Sequence, residues 1–101
     1  MAKFQLTDEA RQDLVDIRQF TLQHWGEAQS HHYLRRLQRT LHTLSELPTM
    51  GISRASDLAE GVLSFPFVSH MIYYQAIQQG IIVLAVMHQS RVPSLHLAAR
   101  L

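Results

Sequence analysis

The run "IIVLAVM", Ile81–Met87, constrains this chain more than any other segment. Read as a strand from Ile81 to His88, it places Ile81, Val83, Ala85 and Met87 on one face and Ile82, Leu84 and Val86 on the other. Both faces are apolar, the pattern of a strand covered on two sides. The chain must therefore supply or recruit a layer on each side of its sheet.

One layer is legible upstream. Lys3–Leu6 alternates polar and apolar and reads as a short first strand. Thr7 then caps a helix whose first turn carries Asp8 and Glu9, acids that suit the positive end of the helix dipole. Ala10, Leu14, Ile17 and Thr21 share one face of that helix, which runs to about Trp25 and stops at Gly26. A second helix, Glu27 to Leu47, puts Leu34, Leu37, Leu41 and Leu44 on one stripe and ends at Pro48. Each buried leucine stabilises by roughly 1.5–3 kcal/mol before entropy costs, so the stripe must face a core. Two helices joined at one Gly form an antiparallel hairpin, which covers one sheet face. The other face needs the tail "SLHLAARL" or a partner chain.

Pro48–Gly61 has no sustained period and reads as a connector, with one helical turn around Ser56–Ala59. Strands follow near Val62–Phe65, His70–Ala76 and Ile81–His88, the last two joined by a hairpin connection ending at Gly80. The expected fold is α+β: a short N-terminal strand and an antiparallel helical hairpin packed on an antiparallel sheet. Residues 1–93 form the domain and 94–101 a C-terminal tail.

At 101 residues there is room for one hydrophobic core. The absence of cysteine excludes disulfides and thiolate metal sites and suits a reducing cytoplasm. The apolar run of seven is far below the roughly 20 residues that span a bilayer, and the N-terminus has no signal-like apolar core. A soluble cytoplasmic protein is expected. A formal charge of +1 is well short of the basic excess of a protein held mainly by phosphate contacts.

Candidate chemistry centres on His70, His88 and Arg91. Alternation puts His70, Ile72 and Tyr74 on one face and Met71 and Tyr73 on the other, so His70 and Tyr73 do not share a site. His88 and Arg91 follow the last strand, where one is placed as a general base and the other as a phosphate contact, or both as surface residues. His31 and His32 point about 100° apart on a helix and cannot share a metal ion, so no metal or cofactor is expected. Arg35, Arg36 and Arg39, with His32 and His42, lie opposite the leucine stripe. They read as a solvated face, or as one for phosphate or an acidic partner.

Six segments in order, "LTDEARQDLVDI", "HWGE", "YLRRL", "LPTMG", "HMIYY" and "HQSRVP", resemble the ParE/RelE superfamily of type II toxin–antitoxin toxins, the ParE branch most closely. The resemblance spans about Leu6 to Pro93. It implies a toxin neutralised by direct binding of a cognate antitoxin, which touches operator DNA on the pair's behalf, and a non-catalytic toxin that poisons DNA gyrase and blocks replication. RelE-like relatives are instead ribosome-dependent ribonucleases, and His70, His88 and Arg91 would be the catalytic set under that alternative. The tail lacks the ribonuclease tyrosine, which favours gyrase. Ser90 stands where a second basic residue is usual beside Arg91, a departure that loosens the gyrase assignment. Arg91, His88 and Arg54 are the candidate target contacts. Leu14, Ile17, Leu34, Ile82, Leu84 and Val86 are the candidate antitoxin contacts.

Overall fold

The computed structural model describes residues 2–101. Its strands are β1 (Lys3–Leu6), β2 (Ile52–Ser53), β3 (Val62–Phe67), β4 (His70–Ile77) and β5 (Gly80–His88). Its helices are α1 (Asp8–Trp25), α2 (Glu27–Glu46) and α3 (Pro93–Leu97). The strands form one mixed sheet ordered β1-β5-β4-β3-β2. The antiparallel meander β3-β4-β5 lies where expected, and two short strands extend it: β2 pairs antiparallel with β3, and β1 pairs parallel with β5. A four-residue strand holds because Gly80 lets it approach. A Cβ there would collide with the Lys3 carbonyl oxygen.

The helical hairpin forms for the reasons its sequence offers. Thr7 Oγ1 accepts from the Ala10 amide at 3.1 Å, closing the first turn of α1. Gly26, at φ +86°, ends α1 and begins α2 in a conformation that costs other residues strain. The pair is then pinned internally by a 2.6 Å hydrogen bond between Thr21 Oγ1 and Ser30 Oγ, both buried. Ala10, Ile17, Leu37, Leu41 and Leu44 meet Ile72, Tyr74, Ile81 and Val83 in one core. Tyr74 spans it and donates from its hydroxyl to the Pro48 carbonyl at 2.7 Å, fixing the exit of α2.

The opposite sheet face is covered by the chain itself. Leu97 of α3 is fully buried against Val62, Tyr73, Leu84, Ala85 and Met87, and Leu58 and Ala59 of the connector pack beside them. Through Leu97 the C-terminal tail is packed onto the domain, while its other residues are exposed apart from the half-buried Arg100.

The two faces of β5 differ from simple alternation. Tyr73 pairs with Ala85 but Tyr74 pairs with Val83, so Leu84 has no partner on β4. This β-bulge inverts the alternation downstream. Ile81, Val83 and Val86 face the helices, whereas Leu84, Ala85 and Met87 face the tail. Ala85, Val86 and Met87 therefore all change from the faces that strict alternation gives them relative to Ile81 and Val83. On β4, without an inserted residue, Ile72 and Tyr74 share the helix side and Met71 and Tyr73 the other, as alternation requires.

Candidate functional site

β1 covers only the first half of β5's outer edge. Its register ends at Leu6–Val83, and Thr7 then turns the chain into α1. Beyond that point side chains replace the missing strand. Asp13 Oδ2 accepts from the Val86 amide at 3.0 Å, and Arg100 Nη1 donates to the Leu84 carbonyl at 3.0 Å. The same guanidinium reaches Asp13 at 2.8 and 3.1 Å, so the tail, α1 and the bulge are tied at one point.

Alongside this tie runs a groove of about 730 Å³ between α1, the end of β5 and the tail. Ile17 and Val86, only 6% and 3% exposed, form its floor. Its α1 wall is aromatic: Phe20 and Trp25 remain 54% and 43% exposed, and His24 stacks on Phe20 with ring centroids 4.0 Å apart. Large apolar side chains left open beside an apolar floor are the mark of a docking surface rather than of a finished core.

His70 and His88 stand at one end of the groove, paired across β4 and β5 with ring centroids 5.7 Å apart. His70 Nδ1 shares a 2.6 Å hydrogen bond with the Tyr33 hydroxyl. Burial, and secondarily the neighbouring His88, hold the His70 pKa below the ordinary imidazole value, and burial raises that of Tyr33. Both are therefore neutral at pH 7. His88 accepts from the Ser90 amide at Nδ1, so its neutral form carries the proton on Nε2. Arg91 lies exposed on the same rim, and His96 completes a border of cationic or titratable groups.

The structure thus brings three sequence-derived candidates, His70, His88 and Arg91, to one site. It places Arg54 elsewhere, at the β2–β3 side, bonded to Asp57 at 2.6 Å and to Ser64 at 3.3 Å and resting over the Tyr73 ring. Among the antitoxin candidates, Ile17 and Val86 form the groove floor, Leu14 and Leu34 pack partly buried on the helix-side core, and Ile82 is partly exposed. Leu84 is covered by Leu97's cluster and offers no open surface. Tyr33, Phe20, Trp25 and Asp13 were not singled out from sequence as site residues. The signal available was the i, i+4 pair Phe20 and His24, with Trp25 closing the end of α1.

Residues 4–93 match the family described as ParE toxin of type II toxin-antitoxin system, parDE. The chain belongs to the ParE toxin family. Among its relatives, Toxin ParE1 of Caulobacter vibrioides is 32% identical over 97 residues, covering 96% of this chain and 99% of that protein. Toxin ParE1 of Mycobacterium tuberculosis is 31% identical over 90 residues, covering 87% and 90%. A solved structure titled as the chromosomal ParDE TA system from P. aeruginosa superposes with a TM-score of 0.73 over 87% of this chain and 96% of that one. At 17% identity that likeness speaks for the fold. This ParE-family chain thus keeps the α+β architecture with a helical hairpin on one sheet face. Among the described residues no cluster of three or more metal-ligating side chains occurs, and no helix is long and apolar enough to cross a membrane.

Proposed function

We propose that this ParE-family chain acts in the cytoplasm as a toxin by binding, without catalysis of its own, and that its groove receives a segment of the cognate antitoxin. The observation that carries the reading is the apolar floor of Ile17 and Val86 beneath the exposed Phe20 and Trp25, at the stretch of β5 where no strand continues. A disordered antitoxin segment with apolar anchors gains order as it buries that surface. DNA gyrase is the proposed target, with Arg91 and His88 at the rim as its contacts; the antitoxin competes for or occludes that rim. Operator DNA is engaged through the antitoxin.

Trp25 is the chain's one tryptophan, so its fluorescence reports groove occupancy. Titration with antitoxin should shift its emission, and Phe20→Asp, a change on the exposed wall of the groove, should diminish the shift. An unchanged spectrum at saturating antitoxin would place the contact elsewhere. Gyrase supercoiling and cleavage-complex formation, with Arg91→Ala as the inactive control, test the target.

The convergence of His70, His88 and Arg91 supports a second reading, a ribosome-dependent messenger RNA endoribonuclease. A neutral imidazole beside a second imidazole and a guanidinium supplies a base, an acid and an anion contact. Ribosome-dependent cleavage of message that is lost in His70→Ala, with gyrase untouched, would select it.

A further inference from the structure

The net charge of +1 conceals a segregation of charge within the hairpin. α1 carries Asp8, Glu9, Asp13 and Asp16 against Arg11 and Arg18, whereas α2, apart from Glu27 and Glu46 at its two ends, contains Arg35, Arg36, Arg39, His31, His32 and His42 and no acid. Arg35, Arg36, Arg39, His31 and His32 are exposed. Among the described residues the ion pairs are Arg54–Asp57 and Arg100–Asp13, so the three α2 arginines have no carboxylate within 4.0 Å. They line a shallow depression of about 200 Å³ with His31, His32 and Ala28. That depression shares no residue with the groove beside β5.

Helical spacing arranges these cations in two rows, His31-Arg35-Arg39 and His32-Arg36, with about 6 Å between successive groups. Arg36 is held over the Phe67 ring, its guanidinium 5.7 Å from the centroid, so one row is partly ordered in advance. The kind of partner follows from what the face lacks. Protein interfaces centre on desolvated apolar and aromatic anchors and are depleted of charge at their core. Here the one apolar side chain in the depression is Ala28. A face that offers several uncompensated guanidinium groups and no apolar anchor suits a partner held by charge and bidentate hydrogen bonds, namely phosphate oxygens.

We propose that the exposed face of α2 bearing Arg35, Arg36 and Arg39 binds the phosphate backbone of duplex nucleic acid directly and without reading its sequence. Because this face is separate from the groove, a chain with its groove filled keeps the contact. A toxin–antitoxin pair then touches DNA through the toxin as well as through the antitoxin.

The test is fluorescence anisotropy of a labelled mixed-sequence duplex of about 20 base pairs, titrated with the chain between about 50 and 200 mM salt. Neutralising three phosphate contacts changes the slope of log K against log salt by roughly 2.7. Wild type should therefore exceed the triple variant Arg35→Gln/Arg36→Gln/Arg39→Gln by that slope, and bind at least tenfold more tightly at the lower salt. If the triple variant fails to fold by circular dichroism, each single variant should still lower the slope by roughly 0.9. Equal slopes, or no binding by wild type at low salt, overturn the proposal. Polyglutamate is the second arm: binding as tight as the duplex, and equally dependent on the arginines, assigns the face to an acidic protein and overturns it too.

Discussion

Asp13 is expected to be the most costly single side chain to remove outside the apolar core. Its carboxylate accepts the Val86 amide at 3.0 Å and two N–H groups of Arg100 at 2.8 and 3.1 Å. In Asp13→Ala the Val86 amide, on a part-buried strand edge, is left unpaired at a cost of about 1–3 kcal/mol. The Arg100 guanidinium also loses its anion. Breaking a fully buried pair costs about 3–5 kcal/mol, but these side chains remain 20% and 14% exposed, so solvent screens part of the loss. About 1 kcal/mol is a fair share for that pair, giving about 2–4 kcal/mol in total. Against a typical stability of about 5–15 kcal/mol this is a large fraction.

Arg100→Ala should cost less, about 1 kcal/mol, because the Val86 amide keeps its acceptor and Thr7 Oγ1 still reaches the Leu84 carbonyl at 3.4 Å. Urea unfolding of wild type, both single variants and the double variant gives these values and their coupling. Amide hydrogen exchange locates them: protection at Val86 should fall in Asp13→Ala and persist in Arg100→Ala. Equal losses in the two single variants, or unchanged Val86 protection in Asp13→Ala, would refute the view that the carboxylate substitutes for a strand.

Two further outcomes follow from the same region. The His70 pKa is depressed in the fold by burial and by His88, so the unfolded chain takes up that proton at higher pH. Stability is therefore full above the unfolded value of about 6.5 and declines as pH falls through it toward the folded value. Urea midpoints at pH 7.5 and 5.5 should differ less in His70→Gln than in wild type, and an identical difference would exclude this origin. Val68, exposed in the turn between β3 and β4, sits at φ +52°, a region hostile to a β-branched residue. Val68→Asn should raise stability by about 0.5–1 kcal/mol, read as a higher thermal midpoint; an unchanged or lower midpoint would show that Val68 stores no strain in this turn.

The helices were the most legible part of the sequence because their signals are local. Thr7, the stripe through Leu37, Leu41 and Leu44, Gly26 and Pro48 each act on residues within a turn or two, and the structure uses all of them. The meander was legible for the same reason, with short connections that leave little choice of neighbour. The pairing of β1 with β5 joins residues 77 apart and depends on the space at Gly80, which no local pattern encodes. Likewise, the apolar character of "IIVLAVM" indicates two covering layers, but reading the second as an antitoxin segment laid over the open sheet face is overturned by the fold. Leu97 covers that face, through a contact only the folded tail can make.

The bulge at Leu84 explains why the site itself was harder to read. Strict alternation put Val86 beside Leu84, and with that register neither Ile17 nor Asp13 has any reason to meet it. One unpaired residue turns Val86 toward α1, where its side chain meets Ile17 on the groove floor and its amide meets Asp13. The same inversion sends Ala85 and Met87 under the tail, so Arg100 can cross the edge and bond the Leu84 carbonyl. β5 thus changes partners at a single residue: a strand on its first half, side chains and an open groove on its second. The groove exists because β1 stops at Leu6 while β5 continues to His88, and its apolar floor exists because the bulge aims Val86 there. Deleting Leu84 should remove the bulge while leaving Val86 toward α1 and Ala85 and Met87 beneath the tail, because the residue lost is the extra one on the tail side, so the groove floor should persist. A folded Leu84 deletion that lost the response of Trp25 to antitoxin would mean that the groove depends on the backbone of the bulge itself and not only on the face that Val86 takes.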